Sequence, residues 1–307
     1  MALAPGHRRA PLTCTLGRKA ATIDRMRGVR VVGLVLFALG QLACASGKGK
    51  APAAVAQPET WCPDGFEVGP DDTCFAVPAA STPKTPIVVF LHQTFDGRGD
   101  AEEWKRVHGL VDKGSAVVLV RGRRGVCAWK AELKDHFCWP EEDSGEAASI
   151  VGSWDKVLFQ VDSVLETGSH RRYVLAQGDG ANFASGLVAT GAFDAGGFVL
   201  VDGGSATPKA KPAKVAPVVT LAGSATEPQV KGFRDALERL AWPHGKCARG
   251  AADSKLTDAD VEAMGRLVAK DGDLRAFAQG ASGCEVAGAE PPKGDKPPHK
   301  GSSPKRP

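Results

Sequence analysis

The 307-residue chain contains one tyrosine and three methionines, and it has no apolar run long enough to cross a bilayer. A membrane-spanning helix needs about 20 consecutive, mainly apolar residues. A single tyrosine offers little for stacking on nucleic-acid bases, and no stretch combines aromatic residues with a basic surface. The sequence therefore predicts neither a membrane-spanning helix nor a nucleic-acid partner.

Motifs that bind metals or nucleotides are also missing. No two of the eight cysteines have the C-x-x-C spacing, and no histidine is placed to complete a four-ligand zinc set. The Gly-Asp-Gly sequence at 178–180 could hold a phosphate at a helix N-terminus. A nucleotide site would also need a P-loop lysine or an acidic partner for the ribose, and the chain offers neither. We therefore expect no metal and no cofactor.

The overall composition is that of an ordinary globular protein, with 43% hydrophobic and 24% charged residues. The length allows one large domain with appendages. The formal net charge is +4, but Lys and Arg are concentrated at the two ends of the chain. The body between these ends is therefore weakly acidic.

An export signal is indicated near the N-terminus. The segment MRGVRVVGLVLFALGQLACASGKGK, which begins at Met26, combines two arginines, a mostly apolar run and a final group of small residues. This order is typical of a signal peptide. We predict that residues 26–43 are a signal peptide and that residues 1–25 are an upstream extension that results from a misassigned start.

The sequence QLACAS around Cys44 resembles the lipobox of bacterial lipoproteins, in which the cysteine becomes the acylated first residue of the mature protein. Gln41 departs from the pattern, since an aliphatic residue is preferred there. Cleavage by an ordinary signal peptidase after Ala43 or Ala45 is the alternative, and it would give a secreted soluble protein. We favour lipidation of Cys44, which would anchor the protein in the cell envelope without a spanning segment.

The remaining chain divides into three predicted parts. Residues 44–60 are small and Pro-containing without an apolar period, which predicts a flexible tether. Residues 286–307 are rich in Pro and Lys and predict a disordered basic tail, because they cannot bury enough apolar surface to offset the entropy of ordering. Residues 61–285 between them form the predicted domain.

Six cysteines fall inside the predicted domain, and an even number in an exported chain indicates disulfides. Six cysteines allow 15 pairings, and the sequence does not choose among them. Closeness along the chain favours three pairs, namely Cys62–Cys74, Cys127–Cys138 and Cys247–Cys284.

Apolar runs and helical patterns alternate through the domain. Such runs suit a parallel sheet covered on both faces, and the alternation predicts an α/β fold with a doubly wound, mostly parallel sheet flanked by helices. A leading antiparallel hairpin is predicted within 62–78. The predicted strands are 85–92, 115–122, 171–178, 196–203 and 216–223; the predicted helices are 100–112, 147–167, 180–190 and 229–241, with two more within 257–280, the first capped by Thr257.

Three stretches between residues 62 and 242 carry a resemblance to a known family. TPIVVFLHQTFDGRGDAEEW is similar to the strand and His-Gly loop that supply an oxyanion hole, and CAWKAELKDHFCWP to the cysteine- and tryptophan-containing loop that follows the next strand. RRYVLAQGDGANFASGLVA is similar to the strand, elbow and helix that carry a nucleophile. The order of these parts resembles the α/β-hydrolase fold, in particular secreted polyhydroxybutyrate depolymerases and feruloyl esterases.

The resemblance implies a nucleophile at the centre of the elbow, where this chain has Gly178. Glycine has neither a hydroxyl nor a thiol with which to form an acyl intermediate. At the oxyanion loop, His92 is followed by Gln93, where the family has glycine. Both positions are therefore interpreted as degenerate, and no catalytic residue is assigned.

The family's acid and base are also missing from their expected places. Ala225 or Thr226 falls where the family keeps an aspartate, with Glu227 nearby, and no histidine lies between His244 and His299. Other candidates have plain interpretations. Asp179 is read as an acid in a first helical turn, Ser205 as part of a turn, His92 as structural, and His108 and His136 as ordinary surface or loop histidines.

These observations predict an exported, lipid-anchored envelope protein whose hydrolase-like domain binds a small molecule, an envelope polymer or a partner instead of catalysing a reaction. One alternative is an active serine esterase with a displaced nucleophile at Ser205 or Ser224. Another is a structural envelope protein whose basic tail contacts anionic polymer or lipid.

The elbow reading also makes a geometric prediction. If the turn has kept its shape, Gly178 should have a positive φ, which glycine adopts without the strain that other residues incur. The helix at 180–190 should then pack Phe183 and Leu187 against the sheet.

Overall fold

The computed structural model describes residues 61–97, 99–127, 130–140, 145–166, 171–250, 255–281 and 283–288. The predicted upstream extension, signal peptide, Cys44 lipidation site and tether lie outside the described residues, as does the predicted tail beyond residue 288. The boundaries of these segments therefore remain predictions.

Nine of the described strands form a single sheet in the order β1-β2-β4-β3-β7-β8-β9-β10-β11. The five pairings from β4 through β3, β7, β8 and β9 to β10 are parallel, whereas β1 with β2, β2 with β4, and β10 with β11 are antiparallel. Strands β5 and β6 form a separate ribbon. The strands are β1 (Glu67–Val68), β2 (Cys74–Ala76), β3 (Ile87–Leu91), β4 (Ala116–Val120), β5 (Arg123–Arg124), β6 (Phe137–Cys138), β7 (Arg172–Gln177), β8 (Gly197–Val201), β9 (Val218–Ala222), β10 (His244–Ala248) and β11 (Cys284–Ala287).

Six α-helices of the described chain connect these strands. Asp100 caps the first helix by accepting a hydrogen bond from the Glu102 N–H at 2.9 Å. Thr257 is the N-cap of the fifth helix, as the sequence predicts, and it also forms a reciprocal capping box with Asp260. The helices are α1 (Ala101–Asp112), α2 (Ala147–Val164), α3 (Asp179–Thr190), α4 (Glu227–Arg239), α5 (Asp258–Ala269) and α6 (Leu274–Ala278).

Both faces of the sheet are covered, so the central strands are buried along their whole length, except for Arg172 at the start of β7. Alternate residues of β3 point to opposite sides, because side chains alternate along a strand. Ile87 and Val89 join the core formed with α2, α3 and α4. Val88 and Phe90 join the core formed with α1, α5 and α6. The predicted doubly wound, mostly parallel sheet flanked by helices is confirmed, as is the leading antiparallel hairpin.

The five strands predicted from apolar runs are all present, each one to three residues shorter at its ends than predicted. Four further strands have no counterpart among those predictions, namely β5 and β6 of the separate ribbon and β10 and β11 of the main sheet. The β10 sequence His-Gly-Lys-Cys-Ala contains no apolar run, and β11 lies at the sheet edge, where half of its residues are exposed. Strand β11 continues to Ala287, two residues beyond the predicted end of the domain.

The three predicted disulfides are present. Cys62–Cys74 ties the start of the domain to β2, with Cα atoms 5.5 Å apart. Cys127–Cys138 closes the loop that ends in β6, and Cys247–Cys284 joins directly paired positions of β10 and β11. Disulfides of this kind are typical of proteins that fold in an oxidising compartment.

Candidate functional site

The strand-to-helix turn at Gly178 has the backbone geometry predicted for an elbow. Gly178 has φ 56° and ψ −121°, and it separates Gln177, the last residue of β7, from Asp179, the first residue of α3. Its N–H donates to the Val201 carbonyl at 2.9 Å. The predicted positive φ is confirmed, and a residue other than glycine would be strained in this conformation.

The helix after the elbow packs as predicted. Phe183 and Leu187 are buried in the core that α3 shares with α2 and α4. Gly180 allows this close approach, because a Cβ atom there would lie 2.5 Å from the His92 carbonyl oxygen and 2.6 Å from that of Leu91. The final glycine of the elbow pattern therefore has a packing reason in this chain.

The space above the elbow is occupied by the neighbouring loop. A Cβ atom added at Gly178 would lie 3.0 Å from the Gln93 Cβ atom and 3.7 Å from its Oε1 atom. A side chain at position 178 would therefore have to displace Gln93. Gly178 on the elbow and Gln93 on the loop after β3 therefore pack against each other. These are two of the positions that the sequence analysis interprets as degenerate.

The Asp179 carboxylate is bound by backbone N–H groups around the elbow. It accepts hydrogen bonds from the Thr94 N–H at 2.5 Å and from the Trp139 N–H at 3.2 Å. Burial raises its pKa to about 6, against the lowering effect of these hydrogen bonds. Asp179 is thus more than an ordinary first-turn acid, because it ties α3 to the loops after β3 and β6.

Thr94 lies in the loop that would supply an oxyanion donor in a hydrolase of this fold. Such an oxyanion hole uses the N–H of the residue after the nucleophile together with an N–H of this loop. In this chain the N–H of Thr94 donates to the Asp179 carboxylate. The chain's own carboxylate therefore binds a donor of the kind that would bind a substrate oxygen.

The His92 ring is held inside the fold by hydrogen bonds to backbone groups. Its side chain is buried, its Nδ1 atom donates to the Gln93 carbonyl at 2.6 Å, and its Nε2 atom accepts from the Gly122 N–H at 2.9 Å. Burial lowers its pKa to about 4, so the ring is neutral at physiological pH. The Trp139 indole N–H donates to the His92 carbonyl at 2.8 Å.

A buried ion network lies where the strands β8 and β10 end. Asp202, directly after β8, and Arg249, directly after β10, form an ion pair whose side chains are each 3% exposed. Arg249 also pairs with Asp260 on α5, where its Nε and Nη2 atoms lie 3.0 and 2.8 Å from Oδ2. Buried charges persist only when they are paired in this way. Sequence reasoning did not find this network.

The predicted acid loop contributes to the same network through Thr226. Its hydroxyl donates to Oδ1 of Asp202 at 2.5 Å, and the Gly223 N–H donates to the same oxygen at 3.0 Å. Glu227 instead pairs with Arg234 on its own helix. The charged group at this loop is therefore Asp202, whose sequence signal is an acid immediately after an apolar strand.

The histidines and serines that remain are not brought together within the described residues. His108 packs against the Phe66 ring with centroids 5.4 Å apart, and His244 donates from Nδ1 to the Trp242 carbonyl at 2.8 Å. Ser205 and Ser224 are exposed, and neither has a described hydrogen bond to a histidine. No Ser–His pair is assembled in the described part of the chain.

Two neighbouring cavities flank the start of α1. The smaller, of about 540 Å³, lies between the loop after β3 and α1, and His136 completes its wall. The larger, of about 1180 Å³, is a groove with aromatic and basic walls. Arg121 in that groove lies with its guanidinium carbon 4.0 Å from the Phe137 ring centroid and also pairs with Asp72. Gly99, Ala101 and Trp104 line both cavities.

Within residues 61–288, apart from the short gaps named above, no group of three His, Cys, Asp or Glu side chains is placed to hold a metal ion. No described helix is both long and apolar enough to cross a membrane.

No protein-family model matches the chain, and no curated protein sequence matches it. Solved structures with a similar fold include a carboxylesterase from Bacillus cereus, which is 16% identical, with 65% of this chain and 93% of that chain covered and a TM-score of 0.49. A carboxylesterase from Mesorhizobium loti is 16% identical over 67% of this chain and 99% of that chain, with a TM-score of 0.45. Esterase PE8 is 16% identical over 67% of this chain and 98% of that chain, with a TM-score of 0.47.

The strand order, the helices on both faces and the strained turn at Gly178 together define the architecture. The domain has the α/β-hydrolase-like fold that its sequence predicts.

Proposed function

We propose that this chain is an exported, lipid-anchored envelope protein whose α/β-hydrolase-like domain binds a ligand without hydrolysing it. One observation carries the proposal. At the elbow, the nucleophile position is Gly178, and the adjacent Asp179 carboxylate accepts the Thr94 N–H.

The chemistry of acyl transfer would fail at each of its steps. Gly178 offers no atom to attack a carbonyl. A negative charge on Asp179 would repel the oxyanion of a tetrahedral intermediate, whereas hydrolases stabilise that oxyanion with free N–H donors. Arg249, which follows β10, carries a guanidinium group, which has only N–H donors and cannot act as a general base.

The proposed location follows from the sequence and the disulfides. Three disulfides are expected in a chain that folds outside a reducing cytosol. The signal peptide at 26–43 and the lipidation of Cys44 are proposed from the sequence pattern. Acylation would hold the domain at a membrane surface through the tether at 44–60.

Ester turnover by the purified mature protein tests the proposed loss of catalysis. The substrates are short-chain 4-nitrophenyl esters, and the control is the same protein after heat denaturation. We expect no turnover above that control. Turnover that is abolished by Ser205→Ala or Ser224→Ala would overturn the proposal and establish the alternative of an active serine esterase.

A further inference from the structure

The smaller cavity beside α1 contains a buried acid that the fold does not use. Glu103 lines this cavity and is only 4% exposed, yet its carboxyl group has no hydrogen bond or ion pair among the described residues. The nearby charged groups are engaged elsewhere. Asp100 caps α1 and faces Lys255 at 3.4 Å, and Arg106 lies 3.5 Å from Asp258. A buried carboxyl group without a partner is costly and calls for a reason.

A second unpartnered group lines the same cavity. Trp104 is 4% exposed, and its indole N–H is buried without an acceptor among the described residues. The Nδ1 atom of His136, on the opposite wall, is likewise buried without a described partner. Buried polar atoms in native proteins nearly always have a partner in the protein, in water or in a ligand. Two such atoms, together with the Glu103 carboxyl group that lines the same cavity without a described partner, indicate a ligand site.

The kinds of group present define the ligand. Glu103 and Asp96 give the cavity a negative character, which favours a cation and repels an anion. The Trp104 N–H, which lies beside Gly99, can donate to an acceptor oxygen on the ligand. Phe95 and Trp104, with ring centroids 6.0 Å apart, offer apolar and π surface. The volume of about 540 Å³ is within the range of small-molecule sites.

We propose that the cavity beside α1 binds a protonated amine that carries a neighbouring hydroxyl group, the chemistry of an amino sugar. The ammonium group pairs with Glu103, the hydroxyl oxygen accepts from the Trp104 indole N–H, and the carbon skeleton packs on the aromatic rings. The inference rests on the binding role proposed above and gives that role a ligand class.

Calorimetric titration of the mature protein with three sugars tests this ligand class. Glucosamine carries the amine, N-acetylglucosamine carries a neutral amide at the same position, and glucose carries a hydroxyl. We expect glucosamine to bind at least about tenfold more tightly than the other two sugars, which corresponds to one well-placed charged contact. Equal affinity for glucose would overturn the amine assignment.

Variants of α1 test which residues bind. Glu103→Gln should weaken glucosamine binding by about tenfold or more. Trp104→Phe should also weaken it, because phenylalanine keeps an aromatic ring but lacks the indole N–H. Glu102→Gln is the matched control, because it removes the same charge from an exposed neighbour on the same helix. A thermal unfolding curve confirms that each variant is folded. Unchanged affinity in folded Glu103→Gln would overturn the proposal.

The two proposals fail in different ways. Absence of glucosamine binding overturns the ligand class, whereas it leaves the loss of catalysis to the ester assay. Ester turnover that depends on a serine overturns the non-hydrolytic role, whichever sugars bind.

Discussion

Glycine at position 178 keeps the backbone of an elbow while lacking the side chain for which such a turn is usually strained. A strained conformation persists when the surrounding structure determines it. Here the surroundings are Gln93 above the turn and the Asp179 carboxylate beside it, held by Thr94 and Trp139. The residues that would receive a substrate in a hydrolase instead contact one another.

Gly178→Ser should fold, lose stability and stay inactive. The positive φ alone costs about 1 kcal/mol for a residue with a Cβ atom, and contact with Gln93 adds to that cost. Gly114→Ser is the control, since Gly114 also has a positive φ, of 88°, but has open space around it. Urea unfolding should show a larger loss for Gly178→Ser than for Gly114→Ser. Equal losses, or ester turnover in Gly178→Ser, would contradict this account of the elbow.

Glu103 should make the protein less stable as the pH rises. Burial, with a contribution from Asp100, raises its pKa from 4.5 to about 7, although Arg106 and Lys255 lower it. At a pH between these two pKa values, Glu103 is deprotonated in the unfolded chain but still protonated in the folded chain. The free energy of unfolding therefore falls as the pH rises. The shift corresponds to about 3 kcal/mol at pH 8.

Glu103→Gln removes this titration. Its free energy of unfolding should exceed that of the parent by up to about 3 kcal/mol at pH 8, and the difference should vanish below about pH 4.5. Chemical denaturation at a series of pH values measures the difference. A constant difference across this range would show that Glu103 is not the group that titrates.

At the scale of secondary-structure elements, the Asp202–Arg249–Asp260 network joins the ends of β8 and β10 to α5. All three side chains are at most 4% exposed. Removing one member of such a network leaves the others charged and unpaired in the interior. This network fixes the positions of the carboxyl ends of these strands relative to α5.

Arg249→Met should therefore lower the free energy of unfolding by about 3–5 kcal/mol, as expected for breaking a buried pair. Lys231→Met is the comparison, because Lys231 forms a solvent-exposed pair with Asp235, and water weakens the attraction between exposed charges. Urea unfolding at neutral pH measures both losses. Similar small losses for the two variants would mean that the buried network does not stabilise the domain.

The elements were predictable from sequence where local pattern decides them. The apolar run of β3 and the capping residue Thr257 both indicate their structure directly. The bonds at the site were not predictable, because they join distant positions. Asp179 and Thr94 are 85 residues apart, and Arg249 and Asp202 are 47 apart. The sequence indicates that an acid such as Asp202, which directly follows an apolar strand, lies at the carboxyl edge of the sheet. Its pairing with Arg249 can be seen only in the folded structure.

At the scale of the whole molecule, the disulfides close the two edges of the sheet. Cys62–Cys74 holds the strand pair at one edge, and Cys247–Cys284 holds β11 to β10 at the other. Exposed sheet edges invite pairing with other chains, and native proteins protect them. The crosslinks therefore fix the short edge strands β1 and β11, which bury few side chains.

Removing the two outer disulfides separately should have unequal effects. By loop-closure entropy, the 37-residue span of Cys247–Cys284 is worth about 4 kcal/mol and the 12-residue span of Cys62–Cys74 about 3 kcal/mol. Double Cys→Ser variants of each pair, compared by urea unfolding, measure the difference.

Mass spectrometry of the unreduced mature protein should find no alkylatable thiol at these four cysteines. Several free thiols would contradict the disulfide assignment.

We propose that this α/β-hydrolase-like domain binds a ligand without hydrolysing it. Labelling of the folded mature protein with a fluorophosphonate, followed by peptide mass spectrometry, tests it most directly, since the reagent modifies only a serine activated by its surroundings. An active serine esterase labelled in parallel is the positive control. We expect no adduct on the chain. A stoichiometric adduct on Ser205 or Ser224 that forms on the folded protein, and not on protein denatured before labelling, would contradict this expectation.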